Sequence, residues 1–156
     1  MFRRKKVRDA TFYGITFPAM AGMYGALFEA LRQTHNFPVA LFGSGVTVLI
    51  GGILLRIFAL LQIGRGFSTK VERSDNQQLR TTGIYGTLRH PLYCATLLQV
   101  LGTGIMLHSS VAFVFLPLCL AGVLFRINKE ERFMTSEFPE YRDYMKKTWR
   151  LVPWLY

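Results

Sequence analysis

Residues 89–131 read RHPLYCATLLQVLGTGIMLHSSVAFVFLPLCLAGVLFRINKEE. Two apolar runs, 91–107 and 111–127, are separated only by His108-Ser109-Ser110. So short a link makes the two runs an antiparallel helical pair. Pro91 suits the first turn of the first helix, where a missing N–H costs nothing. Arg89-His90 then lies at the entrance of the hairpin and Glu130-Glu131 at its exit, 41 residues on, both at the same end. Ionisable groups bordering lipid are costly and mark a site by default.

The rest of the 156-residue chain extends this reading. Hydrophobic residues make up 51% of it and the net charge is +10, with a mean hydropathy of +0.25. A basic soluble domain points to nucleic acid. Here the basic residues lie between apolar blocks, which points to a membrane and away from nucleic acid. A block at 10–31 is close to the ~20 residues a spanning helix needs. It contains Pro18 and several small residues, both tolerated between packed helices in lipid. Glu29 falls near its end, at the expected interface. A second block, 37–63, is longer than a span requires, so a tilted helix is expected. Arg56 inside it either snorkels to the interface or turns to the site or to an acid. Residues 64–89 are polar and read as a loop with a turn at Gly83, and the tail from Asn128 is charged, aromatic and helical to about Lys147.

Charge orients these blocks. Five Lys and Arg precede the first block, five lie in 64–89 and seven follow from Arg126, which puts 17 of 19 on one side. The positive-inside rule then gives an all-α integral membrane protein. It has about four transmembrane helices and a cytoplasmic or interfacial C-terminal helix, with both termini and the site cytoplasmic. The chain reads as one membrane domain, 1–156. Trp149 to Trp154 has the look of an interfacial segment, with Lys146, Lys147 and Arg150 facing anionic lipid. Cys94 and Cys119 lie in apolar runs and read as packing residues; no metal-ligand spacing is visible.

At the hairpin end, an Arg guanidinium can grip a carboxylate in a two-pronged hydrogen bond, and Glu can bind an ammonium or act as a base. Arg89 and Glu130 emerge side by side in this reading. Such a site would take a charged cofactor from the cytoplasm and an apolar substrate from the lipid.

The run Gly83-Ile84-Tyr85-Gly86-Thr87-Leu88-Arg89-His90-Pro91-Leu92-Tyr93 resembles the signature of the isoprenylcysteine carboxyl methyltransferase and phospholipid methyltransferase superfamily. Glu130-Glu131-Arg132, Phe138-Pro139-Glu140-Tyr141 and Arg150-Leu151-Val152-Pro153 resemble its later motifs, and the likeness covers roughly 48–154, the expected catalytic core. The resemblance implies an integral membrane enzyme using S-adenosyl-L-methionine, held between the loop, the last helices and the tail. Carried over by position, Arg89 and Glu130 stand nearest the reacting groups. His90, Tyr93, Glu131 and Tyr141 line or brace the cofactor pocket, with Tyr85, Gly64, Gly66 and Tyr144 as further members. Gly102-Thr103-Gly104 is the other Gly-x-Gly and reads instead as helix packing. Ala95 and Pro139 depart from a family pattern that has Gly at both places, and a Gly at 139 would allow a left-handed turn that Pro does not.

The implied function is methylation of a lipophilic or small acceptor, whether a carboxylate, amine, hydroxyl or thiol, with membrane lipids as partners. The sequence leaves the oligomeric state open. Two alternatives belong to other classes. Membrane sterol-type reductases using NADPH carry a similar Arg-His-Pro motif, but with Asn-Tyr and a following Gly-Asp, where this chain has Leu92-Tyr93-Cys94-Ala95. A non-catalytic membrane scaffold is the other, and the intact Arg89, His90 and glutamates weigh against it.

Overall fold

The computed structural model describes residues 10–32, 38–63 and 81–154. A 3-10 turn, Ala10–Phe12, leads into α1 (Tyr13–Arg32), followed by α2 (Val39–Ile63). A second 3-10 turn, Gly83–Gly86, precedes α3 (Pro91–Met106), α4 (Ser110–Glu137) and α5 (Tyr141–Lys147). The described residues contain no β-strand, only an isolated bridge between Leu88 and Trp149. The all-α expectation therefore holds.

The hairpin forms as its sequence dictates. Pro91 opens α3, and the Ser109 side chain accepts from Ala112 N to cap α4. His108 takes a positive φ of 49° to reverse the chain, and Ser109 N reaches back to Gly104 O. Glu29, expected only at an interface, closes this turn from α1: its Oε2 accepts from Ser109 Oγ at 2.5 Å and from Val111 N at 3.2 Å. The end of α1 and the 108–110 turn therefore share one end of the bundle, opposite the glutamates of α4.

Small residues set the packing, as they do where lipid supplies no hydrophobic drive between helices. α2 lies against α3 so closely that a Cβ on Gly102 would sit 2.5 Å from Leu49 N, and α4 lies so close to α3 that one on Gly104 would meet Ala112 Cβ at 2.9 Å. Gly102-Thr103-Gly104 is thus a packing motif, as read. Gly102→Ala is expected to destabilise by about 1–3 kcal/mol because backbone must move. Gly51→Ala, with open space around it, should leave thermal unfolding in detergent unchanged. Equal melting of the two variants would contradict this packing.

The core is narrow: Ile15, Ala19, Val100, Cys119, Val123, Ile127 and Leu151 cluster between α1, α3, α4 and the tail. Large apolar side chains instead face outward, among them Phe17, Phe42, Ile53, Phe58, Phe113 and Phe125. Among the described residues, two helices, α2 and α4, are long and apolar enough to cross a membrane, while α3 has 16 residues. Arg56 pairs with no acid among the described residues; its Nη2 donates to Thr96 Oγ1 on α3 at 2.7 Å.

The tail is helical to Lys147, as expected, but in two pieces. α4 does not end with the apolar run but continues unbroken for ten residues beyond Ile127 to Glu137, so the last turns lift Glu130 and Glu131 clear of it. The chain breaks at Phe138, held extended (φ −127°, ψ 102°) by the proline after it. Among described residues, positive φ is confined to Gly83, His108 and Trp154. The 138–140 turn needs no left-handed residue, and Pro139 fits it.

Candidate functional site

The C-terminal segment is sewn onto the chain entering α3. Arg89 N donates to Trp149 O at 2.8 Å, Trp149 N to Thr87 O at 2.9 Å and His90 N to Arg150 O at 3.1 Å. α5 is pinned to the 83–86 turn, where Tyr144 OH donates to Tyr85 O at 2.5 Å. Ile84 N in turn donates to Gln62 Oε1 at the end of α2, at 2.7 Å. Sequence pieces from α2, the turn, α3, α4 and α5 thus meet at one end of the bundle.

Two polar networks fill that junction. In the first, Arg89 Nε donates to Glu131 Oε1 at 2.8 Å, and Arg89 Nη1 donates to Met145 O at 2.9 Å, to Thr148 O and to Thr148 Oγ1 at 3.2 Å. Arg150 Nη2 lies 2.7 Å from Glu131 Oε2. In the second, Tyr93 OH donates to Glu130 Oε1 at 2.6 Å, and Arg126 Nε is shared between Tyr93 OH (2.6 Å) and Glu130 Oε1 (2.8 Å). His90 stands between the networks. Its Nε2 is 3.5 Å from Glu131 and its Nδ1 3.7 Å from Glu130, and its ring stacks on Tyr93 at 5.6 Å.

The two glutamates differ in access: the Glu131 side chain is 4% exposed and that of Glu130 is 21%. Among the described residues, three guanidiniums, Arg89, Arg126 and Arg150, face two carboxylates. Three phenols border it. Burial pushes Tyr85 up to about 12 and, outweighing the nearby Arg89 guanidinium, Tyr144 up to about 12 as well. Tyr141 is raised by burial and by Glu131. All three stay protonated at neutral pH; Tyr85 OH donates to Ala59 O at 3.4 Å and Tyr144 OH to Tyr85 O.

Two clefts open beside the networks, both within the size range of small-molecule sites. One, about 500 Å³, lies between the end of α4 and α5, with Glu131, Arg132, Thr135, Arg142 and Arg150 among its walls. The other, about 400 Å³, is bordered by Arg89, Lys147, Thr148 and Trp149. Met145 and Arg150 line both, so the clefts adjoin.

Of the residues singled out from the sequence, Arg89, His90, Tyr93, Glu130 and Glu131 come together directly, with Tyr141, Tyr144 and Tyr85 around them. Gly64 and Gly66 lie outside the described residues. The pairing differs from expectation: Arg89 binds Glu131, not Glu130, because residue 131 is the one that α4 turns toward the tail. Arg150, expected at lipid, pairs with Glu131. Arg126 was read only as a topological charge, yet it is 1% exposed and holds Glu130. Its i,i+4 spacing from Glu130 is the signal that would have revealed it. Thr148 gave no signal, since its carbonyl and hydroxyl meet Arg89 only through the fold of the tail.

A sequence profile described as the isoprenylcysteine carboxyl methyltransferase family matches residues 45–136. The chain is 40% identical over 113 residues to the cobalt-zinc-cadmium resistance protein CzcN of Cupriavidus metallidurans, covering 71% of this chain and 52% of that protein. It is 31% identical over 115 residues to protein-S-isoprenylcysteine O-methyltransferase B of Arabidopsis thaliana, covering 71% of this chain and 58% of that one. The chain thus spans little more than half the length of these relatives. The solved structure of the eukaryotic intramembrane Ras methyltransferase, isoprenylcysteine carboxyl methyltransferase, superposes with a TM-score of 0.67 at 29% identity, covering 96% of this chain and 55% of that one.

Proposed function

Because the chain belongs to the isoprenylcysteine carboxyl methyltransferase family, we propose that it is a membrane-embedded methyltransferase using S-adenosyl-L-methionine and acting on a lipophilic acceptor. The observation that carries this reading is the junction itself, where two glutamates and three arginines meet beside two clefts at one end of an apolar bundle. The residues fit the cofactor's chemistry. Glu131 offers a carboxylate for an ammonium, and Arg142 and Arg150 on the same wall offer guanidiniums for a carboxylate. When bound, the cofactor supplies an electrophilic methyl group on a sulfonium.

The chain's own residues supply position and field. Glu131, braced by Arg89 and Arg150, holds the cofactor, with His90, Tyr93, Tyr141 and Tyr85 lining or bracing the pocket. Arg89 and the more accessible Glu130 orient the acceptor. Reacting atoms need to be held about 3–3.5 Å apart, and rigid neighbours keep them so. For an acceptor ending in a carboxylate, Arg89 is the partner; for an amine or thiol, Glu130 is placed to take a proton.

In this reading α1 and α3 cross the membrane with α2 and α4, four spans in all, with both termini and the site cytoplasmic. The basic residues outside the apolar blocks support that orientation. So do the opposite ends at which the Glu29–Ser109 contact and the glutamate cluster lie. The acceptor enters sideways between helices, keeping its apolar part in lipid. The test is transfer of label from methyl-labelled S-adenosylmethionine into a host lipid extract by the protein in vesicles, with the product identified by mass. A labelled product soluble in organic solvent is expected; label appearing only in water-soluble material would overturn the lipophilic acceptor.

A further inference from the structure

We propose that the turn Ala10–Phe12 belongs to the reaction site, with Thr11 and Phe12 as positioning residues that act through Arg126 on Glu130 and Tyr93. This rests on the methyltransferase reading above. The family match begins at residue 45, so nothing in it draws attention to this turn. The structure does. Arg126 is among the largest fully buried side chains and sits where the apolar part of α4 ends. A guanidinium out of water requires partners for its N–H groups, or its burial is strongly unfavourable. On one side Nε is shared by Tyr93 OH and Glu130 Oε1. On the other, Nη1 donates to Thr11 Oγ1 at 3.1 Å, and the Phe12 ring lies 5.6 Å from Cζ, within cation–π range.

The guanidinium is planar, so its two edges move together. Thr11 fixes one edge and thereby fixes where the other meets Glu130 and the Tyr93 hydroxyl. The turn is itself held in place. Thr16 Oγ1 donates to Phe12 O at 3.1 Å, and α1 packs on α4 through Ile15 and Cys119. The N-terminal helix therefore carries bundle geometry to the carboxylate that orients the acceptor.

Thr11→Val keeps the shape and removes the acceptor oxygen; Thr11→Ser keeps the oxygen. Both are compared with wild type in phosphatidylcholine vesicles, using labelled S-adenosylmethionine and N-acetyl-S-farnesylcysteine. Thr11→Val is expected to lower kcat about tenfold, the scale of a hydrogen bond to a charged group. The KM for S-adenosylmethionine should stay within about twofold, and Thr11→Ser should restore most of the loss. A Thr11→Val enzyme indistinguishable from wild type would overturn the proposal, as would a Thr11→Ser loss equal to that of Thr11→Val. If wild type does not methylate this probe, the nitrogen-15 resonance of Arg126 Nε–H, assigned by its loss in Arg126→Lys, decides. Displacement in Thr11→Val and recovery in Thr11→Ser supports the proposal, and an unmoved resonance overturns it. S-adenosylhomocysteine binding by wild type separately tests the methyltransferase reading.

Discussion

Arg89→Ala should lose methyl transfer by at least about a hundredfold, the cost of a small misplacement of reacting groups, and should loosen the C-terminal segment. The side chain is 8% exposed and donates to Glu131, to two backbone carbonyls near the end of α5 and to the Thr148 hydroxyl. Alanine leaves the carboxylate and both carbonyls short of a donor in a poorly hydrated place. Removing one partner from a buried ion pair costs about 3–5 kcal/mol. The loss should appear first in the tail, because Arg89 ties the entrance of α3 to residues 145–148. Proteolysis near α5 should therefore accelerate before α1–α4 unfold. Arg89→Lys should rescue poorly, since an ammonium on a flexible stem cannot span acceptors set out for a planar fork. An Arg89→Ala protein with wild-type turnover and wild-type protease resistance would contradict this account.

Glu131→Ala should weaken S-adenosylhomocysteine binding by about thirtyfold, in the range for truncating one partner of a buried charged pair. Glu130→Ala should cost less cofactor affinity. The difference follows from geometry. Glu131 is 4% exposed, lies between Arg89 and Arg150, and forms part of the wall of the larger cleft. Its loss leaves two guanidiniums facing each other without a counter-charge. Glu130 is held by Arg126 and Tyr93 on the far side of His90 and is not among the residues lining that cleft. Glu130→Ala should instead reduce turnover at saturating cofactor. Equal cofactor affinity in wild type and both variants would mean that the glutamates form only a structural turn.

Much of this was legible in the sequence because it depends on period and spacing. The apolar runs gave the helices of the hairpin and the positions of α1 and α2, and the short 108–110 link brought residues 89–90 and 130–131 to one end. Which glutamate meets Arg89 was not legible. That depends on the helical phase of α4, and α4 runs on to Glu137 where composition suggested that the membrane helix stopped. The apolar run marks the lipid boundary, whereas helix length is set by the next break, here Pro139. Arg126 was hidden for a related reason. Counted as a surface charge at the membrane edge, it turns inward, because Tyr93, Glu130 and Thr11 offer it more than water at that depth. Arg150 and Thr148 depend on the pairing of residues 149–150 with 87–90, a contact across some 60 residues that no local pattern announces.

The most direct test of the central claim is calorimetric titration of the purified wild-type protein in detergent, with S-adenosylhomocysteine and NADPH as separate ligands. Saturable binding of S-adenosylhomocysteine and none of NADPH is the predicted result. Binding of NADPH with none of S-adenosylhomocysteine would contradict the account and point to a reductase.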